Sequence, residues 1–339
     1  MSDVAGLLMA QAEACRTLGS PFTARVLMAL VPLMTRDTVL GRAAHESGAR
    51  PEDALPLRLA GGLHALARSG DPDLAAIYPP HEVDEAALSA ALARVIAMRG
   101  DALVPWLASP PQTNEVARSA VLIAVGHWLT RAYGLPLHLS ELGASAGLNL
   151  NWDRYALQVA GRLYGPQDAV LTLTPDWTGT PPPMDVPRIL SRAGVDLNPL
   201  DPVIDRDRLL AYLWADQAAR LARCVAALDL AARQSPQVTQ GDAAIWAEAR
   251  LAQPVDGLHL VFHTVAAKYF SADTKARLAA ALTAAGALAT QARPLAHLTM
   301  EWDGKGPGAG VQLQLWPGQR MIALGRADFH GRWVNWLAS

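Results

Sequence analysis

Residues 137–149 read L-H-L-S-E-L-G-A-S-A-G-L-N, an alternating run that reaches an acid, Glu141, and then passes through Gly143, Ala144, Ser145, Ala146 and Gly147. Small residues at such a turn let the backbone bend sharply and approach a ligand closely, and a helix after the turn aims unsatisfied N–H groups at it. That chemistry is cofactor cradling. The same five residues also spell G-x-S-x-G, the pattern that raises a serine nucleophile at the end of a strand. Both need a strand, a tight turn and a helix, so the surrounding elements must decide between them.

Other side chains offer proton transfer or ligand binding. His259 and His263 stand four apart in H-L-V-F-H-T. On a helix that spacing makes a metal pair, but the run favours a strand, where the rings lie roughly 13 Å apart, too far to share an ion. No metal site is expected. His263 falls at the carboxyl end of that strand, where open α/β sheets carry reactive groups, and it can accept a proton near neutral pH. A satisfied core histidine is the other reading. Asn114, Glu115 and Arg118 open the helix before the cradle strand. Arg118 suits a cofactor carboxylate, or an ordinary helix-start pair with Glu115. Asn149 lies close enough to the turn to line it.

The elements that position these groups follow from periodicity. Up to about residue 107 the apolar pattern is helical throughout, as in Val4, Leu7, Leu8, Ala12 and Cys15. Asp84 and Glu85 can start a helix that Gly100 is placed to end, and S-P-P-Q at 109–112 closes the region. A helix over 113–133 precedes the cradle strand. Residues 155–190 read as an insertion, and a helix is expected from Arg208 to about Arg233. Strands follow at 238–240, 259–264 and 295–301, with a helix from near Ser271 to Ala285 between the last two. The alternation on both sides of Pro317-Gly318 signals a hairpin.

Composition narrows the partners. The 339 residues are 51% hydrophobic and 18% charged, which fits a well-packed chain of two domains and excludes a disordered one. With a net charge of −2 and no basic face, the footprint of nucleic-acid binding is missing. Cys15 and Cys224 offer neither a disulfide framework nor a zinc knuckle. No basic leader or bilayer-length apolar run is present, so a cytoplasmic protein without membrane contact is expected.

The order of elements over residues 113–339 resembles the class I, Rossmann-like S-adenosylmethionine-dependent methyltransferases, whose sheet ends in such a hairpin. Their first loop is usually E-x-G-x-G-x-G; here it stands as Glu141-Leu-Gly143-Ala-Ser145-Ala-Gly147, with serine at the middle glycine. The longer string G-A-S-A-G-L-N-L-N-W-D-R-Y, with T-N-E-V-A-R at 113–118, also resembles a bacterial family of unknown function with methyltransferase-like character. The resemblance implies S-adenosylmethionine as cofactor. It implies the loop, through Asn149, under the methionine part, Asp196 on the ribose hydroxyls and Asp242 on the adenine amino group. Carboxylates at strand ends can accept from either. The span from Gly147 to Asp196 requires the insertion to loop out, and Asp201 competes for the ribose role. Asp196 before L-N-P equally suits a turn, and Asp242 a helix cap.

A serine hydrolase would use Ser145 with Asp303 and His330 in the chain order of α/β hydrolases. It lacks the strands required before its elbow and leaves Glu141 unexplained. The expected fold is therefore α/β: a Rossmann-like, mostly parallel sheet with a terminal antiparallel hairpin over 113–339, and an all-helical lid or substrate domain over 1–112. The expected activity is methyl transfer to a small molecule or a protein, with homodimer among the assemblies to test. The alternatives are the Ser145 hydrolase and a non-catalytic ligand-binding or interaction protein.

Overall fold

The computed structural model describes residues 3–108, 110–234 and 237–338. The chain divides into two compact units, Met1–Thr113 with Ile204–Val225, and Asn114–Val203 with Ala226–Ser339.

The first unit begins with α1 (Val4–Thr17), α2 (Pro21–Leu30), α3 (Val39–Glu46), α4 (Leu55–Arg68), α5 (Pro72–Ala75) and α6 (Glu85–Ala108). Starts are set by side chains that accept orphan amides: Asp3 from Gly6, Thr38 from Gly41, and Asp84 from Ala87. Leu8, Leu27, Leu30, Leu40, Leu59 and Leu63 are buried together, each contributing about 2 kcal/mol of apolar burial. Helix α6 runs through Gly100 instead of ending there. Leu92, Val95, Ile96, Leu103 and Leu107 on both sides of it are buried, and that burial outweighs the weak helix preference of one glycine.

The second unit begins with α7 (Ser119–Tyr133), ended by Gly134 at φ 64°, whose amide donates to Thr130 O. Next come β1 (Leu137–Leu142), β2 (Ala156–Val159), β3 (Arg162–Tyr164), β4 (Thr172–Leu173), β5 (Asp176–Thr178) and β6 (Ile189–Asp196). The chain then makes α8 (Arg206–Ala211), in the first unit, and α9 (Ala218–Gln234). The helix expected from Arg208 is thus broken at 212–217, and the α/β part loses 204–225 to the first unit. The reason is local anchoring. His64 Nδ1 lies 3.1 and 2.9 Å from the Ala211 and Leu213 carbonyls, and Asp216 accepts from the Phe22 amide and the Ser20 hydroxyl.

The rest is β7 (Val238–Gln240), α10 (Ala243–Leu251), β8 (Leu258–Thr264), α11 (Ala272–Leu288), β9 (Leu295–Glu301), β10 (Ala309–Trp316), β11 (Arg320–Ala327) and β12 (Trp333–Trp336). Among the described residues these form a nine-stranded sheet, β5-β12-β11-β10-β9-β8-β1-β6-β7, and a small sheet β3-β2-β4. Neighbours from β9 to β7 pair parallel, whereas β9-β10, β10-β11 and β11-β12 pair antiparallel. All of β8 is buried, as expected of a parallel strand covered on both faces. The region read as an insertion supplies the small sheet and β5, which pairs with β12. The expected hairpin is present as β10-β11, and β12 extends it by one strand. Among the described residues no helix is long and apolar enough to cross a membrane.

Candidate functional site

Strand β1 lies between β8 and β6, so the loops leaving its carboxyl end meet those of both neighbours. In open parallel sheets ligands bind in the crevice outside these ends. Glu141, near the end of β1, is 2% exposed. The Asn149 side chain hydrogen-bonds its carboxyl, and the Ser119 hydroxyl in turn donates to Asn149 Oδ1 at 2.8 Å. Glu141 Oε2 is buried with no hydrogen-bond partner. Burial, with the charge of Asp196, pushes its pKa well above the carboxylate range against the opposing pull of Arg118 and Asn149. A buried polar oxygen without a partner costs about 1–3 kcal/mol, which a polar ligand group could offset.

The turn adopts left-handed backbone at Gly143 (φ 73°), Ser145 (φ 54°) and Gly147 (φ 68°). Five amides of the turn and the residue after it are bonded within the chain. Those of Gly143 and Ala144 donate to Val195 O at 2.9 and 3.0 Å, that of Ser145 to Asp196 Oδ2 at 2.8 Å, that of Gly147 to Ala144 O at 2.8 Å, and that of Leu148 to Asn114 Oδ1 at 2.9 Å. The α-helix expected after the turn is instead a 3₁₀ stretch, Leu148–Arg154, with Asn151 off helical geometry. The buried Tyr155 hydroxyl donates back to Leu148 O at 2.7 Å, and buried Trp152 further fixes this packing. The turn therefore does not lead into an α-helix N-terminus aimed at a ligand.

The implied ligand acids fall at strand ends with structural work already assigned. Asp196 ends β6 and accepts from the Ser145 and Asn198 amides at 2.8 and 2.9 Å. Asp201 accepts from Val203 N in a local turn. Asp242 caps α10 through the Ala244 and Ile245 amides and takes the Thr274 hydroxyl at 2.7 Å. Burial raises its pKa, but these donors outweigh burial and the net shift is downward. Arg118 donates to the carbonyls of Phe329 and Thr264 at 2.8 and 3.0 Å.

His263 sits in β8 with Nδ1 2.7 Å from Oε1 of Glu301, the last residue of β9. The same oxygen accepts from the Ala266 and Ala267 amides at 2.9 and 3.1 Å. Burial raises the Glu301 pKa, yet the His263 bond and charge and the two amides prevail, and it is lowered. His297 lies 5.2 Å from the His263 ring, with its Nε2 buried and unpartnered. Burial, and then His263, push His297 down to about 3. Val265, directly after β8, is held at φ 55°. A Cβ on Gly143 would come 2.7 Å from Ala266 Cβ, so the loops after β1 and β8 touch.

Sequence reasoning missed Glu301. Only the pairing of β8 with β9, which sets His263 opposite Thr299, brings the acid at the end of β9 to the histidine. His259 instead bonds Ser140 Oγ at 2.8 Å, apart from His263, and among the described residues no cluster is placed to hold a metal ion. Of the hydrolase set, Asp303 binds Arg326 at 2.9 and 3.1 Å, and His330 Nδ1 is 3.6 Å from Glu115 Oε2.

The fold and site define a mixed α/β protein built on a large, mostly parallel sheet. Over residues 5–336 the chain matches the family described as "Uncharacterized protein conserved in bacteria (DUF2332)", and it belongs to that family. No curated protein and no solved structure matches it.

Proposed function

We propose that this chain binds S-adenosylmethionine at the carboxyl ends of β1 and β6 and methylates a small molecule or a protein. The observation that carries the reading is the orphaned Oε2 of Glu141, buried near the end of the middle strand of the parallel run, beside a turn with three left-handed residues. The parallel order β7-β6-β1-β8-β9 supports it, because renumbered it is the 3-2-1-4-5 run of doubly wound nucleotide-binding folds. Leu197 and Ile245, 65% and 56% exposed, lie just after Asp196 and Asp242 and offer apolar surface for a purine.

In this reading Glu141 and Asn149 hold the amino-acid end of the cofactor, and the Asp196 carboxylate, already fixed by two amides, has lone pairs left for ribose hydroxyls. Asp242 acts mainly as a cap that sets the position of Ile245, and Arg118 contributes charge near Glu141. S-adenosylmethionine supplies an electrophilic methyl group when bound. The chain's part is to hold the acceptor in line with it, which requires proximity and orientation more than a covalent residue. A second reading, a non-catalytic binding protein on the same fold, is favoured by the five turn amides bonded within the chain.

Thermal denaturation with S-adenosylhomocysteine tests the proposal. At 100 times Kd the ligand stabilises the chain by about 2.7 kcal/mol, raising Tm by several degrees. An unchanged Tm at millimolar ligand counts against it.

A further inference from the structure

We propose that His263 and Glu301 form a proton-accepting dyad, with His263 Nε2 receiving the proton of a hydroxyl group on the acceptor and Glu301 as its positioning residue. The identity of the acceptor rests on the methyl-transfer reading; the dyad rests on its own geometry. The Nδ1 to Oε1 separation of 2.7 Å is that of a charge-assisted bond. A carboxylate can only accept, so the Nδ1 proton is directed at Glu301 and the neutral ring leaves Nε2 bare. Among the described residues Nε2 of His263 has no hydrogen-bond partner, and the side chain keeps 6% exposure.

Glu301 is itself locked, because the Ala266 and Ala267 amides share the same oxygen. Phe270, edge-on at 5.7 Å, fixes the imidazole further. His297 is held neutral and so adds no charge against an imidazolium. In the transfer the O–H bond of the acceptor breaks, its electron pair stays on oxygen, and the proton bonds to Nε2, placing the new positive charge beside Glu301. A hydroxyl needs this step and a carboxylate does not, and Glu301 would repel an anionic acceptor. Two large rings stand in solvent next to the dyad in sequence, Trp302 after Glu301 and Tyr269 two residues after Ala267, at 72% and 70% exposure. They suit a flat, apolar molecule bearing the hydroxyl.

The test is carbethoxylation of the full-length chain by diethyl pyrocarbonate, followed residue by residue by mass spectrometry with no cofactor present. His263 is expected to react while His297, whose Nε2 is sealed, stays protected. Glu301→Gln keeps an oxygen for the three donors but removes the charge, and is expected to slow His263 at least tenfold; Glu301→Asp restores part of the rate. S-adenosylmethionine affinity, measured on the same variants, is expected to be unchanged. An inert His263, or one equally reactive in Glu301→Gln, overturns the dyad and makes the pair a packed structural contact. A reactive, Glu301-dependent His263 in a chain that binds no S-adenosylmethionine upholds the dyad and removes the methyl-transfer reading.

Discussion

The amide of Ser145 donates to Oδ2 of Asp196 at 2.8 Å, so one carboxylate fastens the loop after β1 to the end of β6. Its other oxygen takes the Asn198 amide at 2.9 Å. Asp196→Ala leaves two amides without their acceptor and is expected to cost about 1–3 kcal/mol. Asp196→Asn retains one acceptor and costs less. Thermal denaturation of both variants checks this order, and three equal Tm values would contradict it.

Gly126 sits inside α7, where alanine normally gains about 1 kcal/mol from helix propensity. Here a Cβ would come 2.2 Å from the Trp152 ring. Overpacking dominates, and Gly126→Ala is expected to destabilise the chain by about 1–3 kcal/mol. Denaturant unfolding gives the sign directly.

Val265, a β-branched residue at φ 55°, is backbone strain stored directly after β8. Val265→Asn, which tolerates that conformation, is expected to raise stability by about 0.5–1 kcal/mol. A lower Tm in that variant would show that side-chain contacts outweigh the strain.

Burial holds His127, His259 and His297 neutral, pushing their pKa values from 6.5 down to about 4, 3 and 3. Between pH 6.5 and those values the unfolded chain binds protons that the folded chain does not. Stability is therefore full above 6.5 and falls as pH drops through that window, by on the order of 1 kcal/mol per pH unit for each ring. Tm is expected to fall between pH 7 and pH 5, and less steeply in His297→Leu. A flat profile would contradict this.

Much of the second unit is legible in the sequence, because β8 and β9 announce themselves by apolar runs and the hairpin by Pro317-Gly318. The features that are not legible depend on contacts far apart in the chain. The break before α9 is held by His64 and Ser20, nearly 150 and 200 residues away. The end of α6 lies past Gly100 because neighbouring burial overrides local preference. The 3₁₀ turn after the cradle comes from Tyr155 reaching back to Leu148. Within the site, Glu141, Asn149 and His263 are visible by type and position. Glu301 is not, because only strand pairing brings it to His263.

The most direct test of cofactor binding is calorimetric titration of the chain and of Glu141→Leu with S-adenosylmethionine. Leucine fills a similar buried volume, so the variant is expected to stay folded. The account predicts a micromolar Kd for the unaltered chain and a rise of at least tenfold, about 1.4 kcal/mol, once Oε2 is gone. No binding to the unaltered chain, or the same Kd for both, would contradict it.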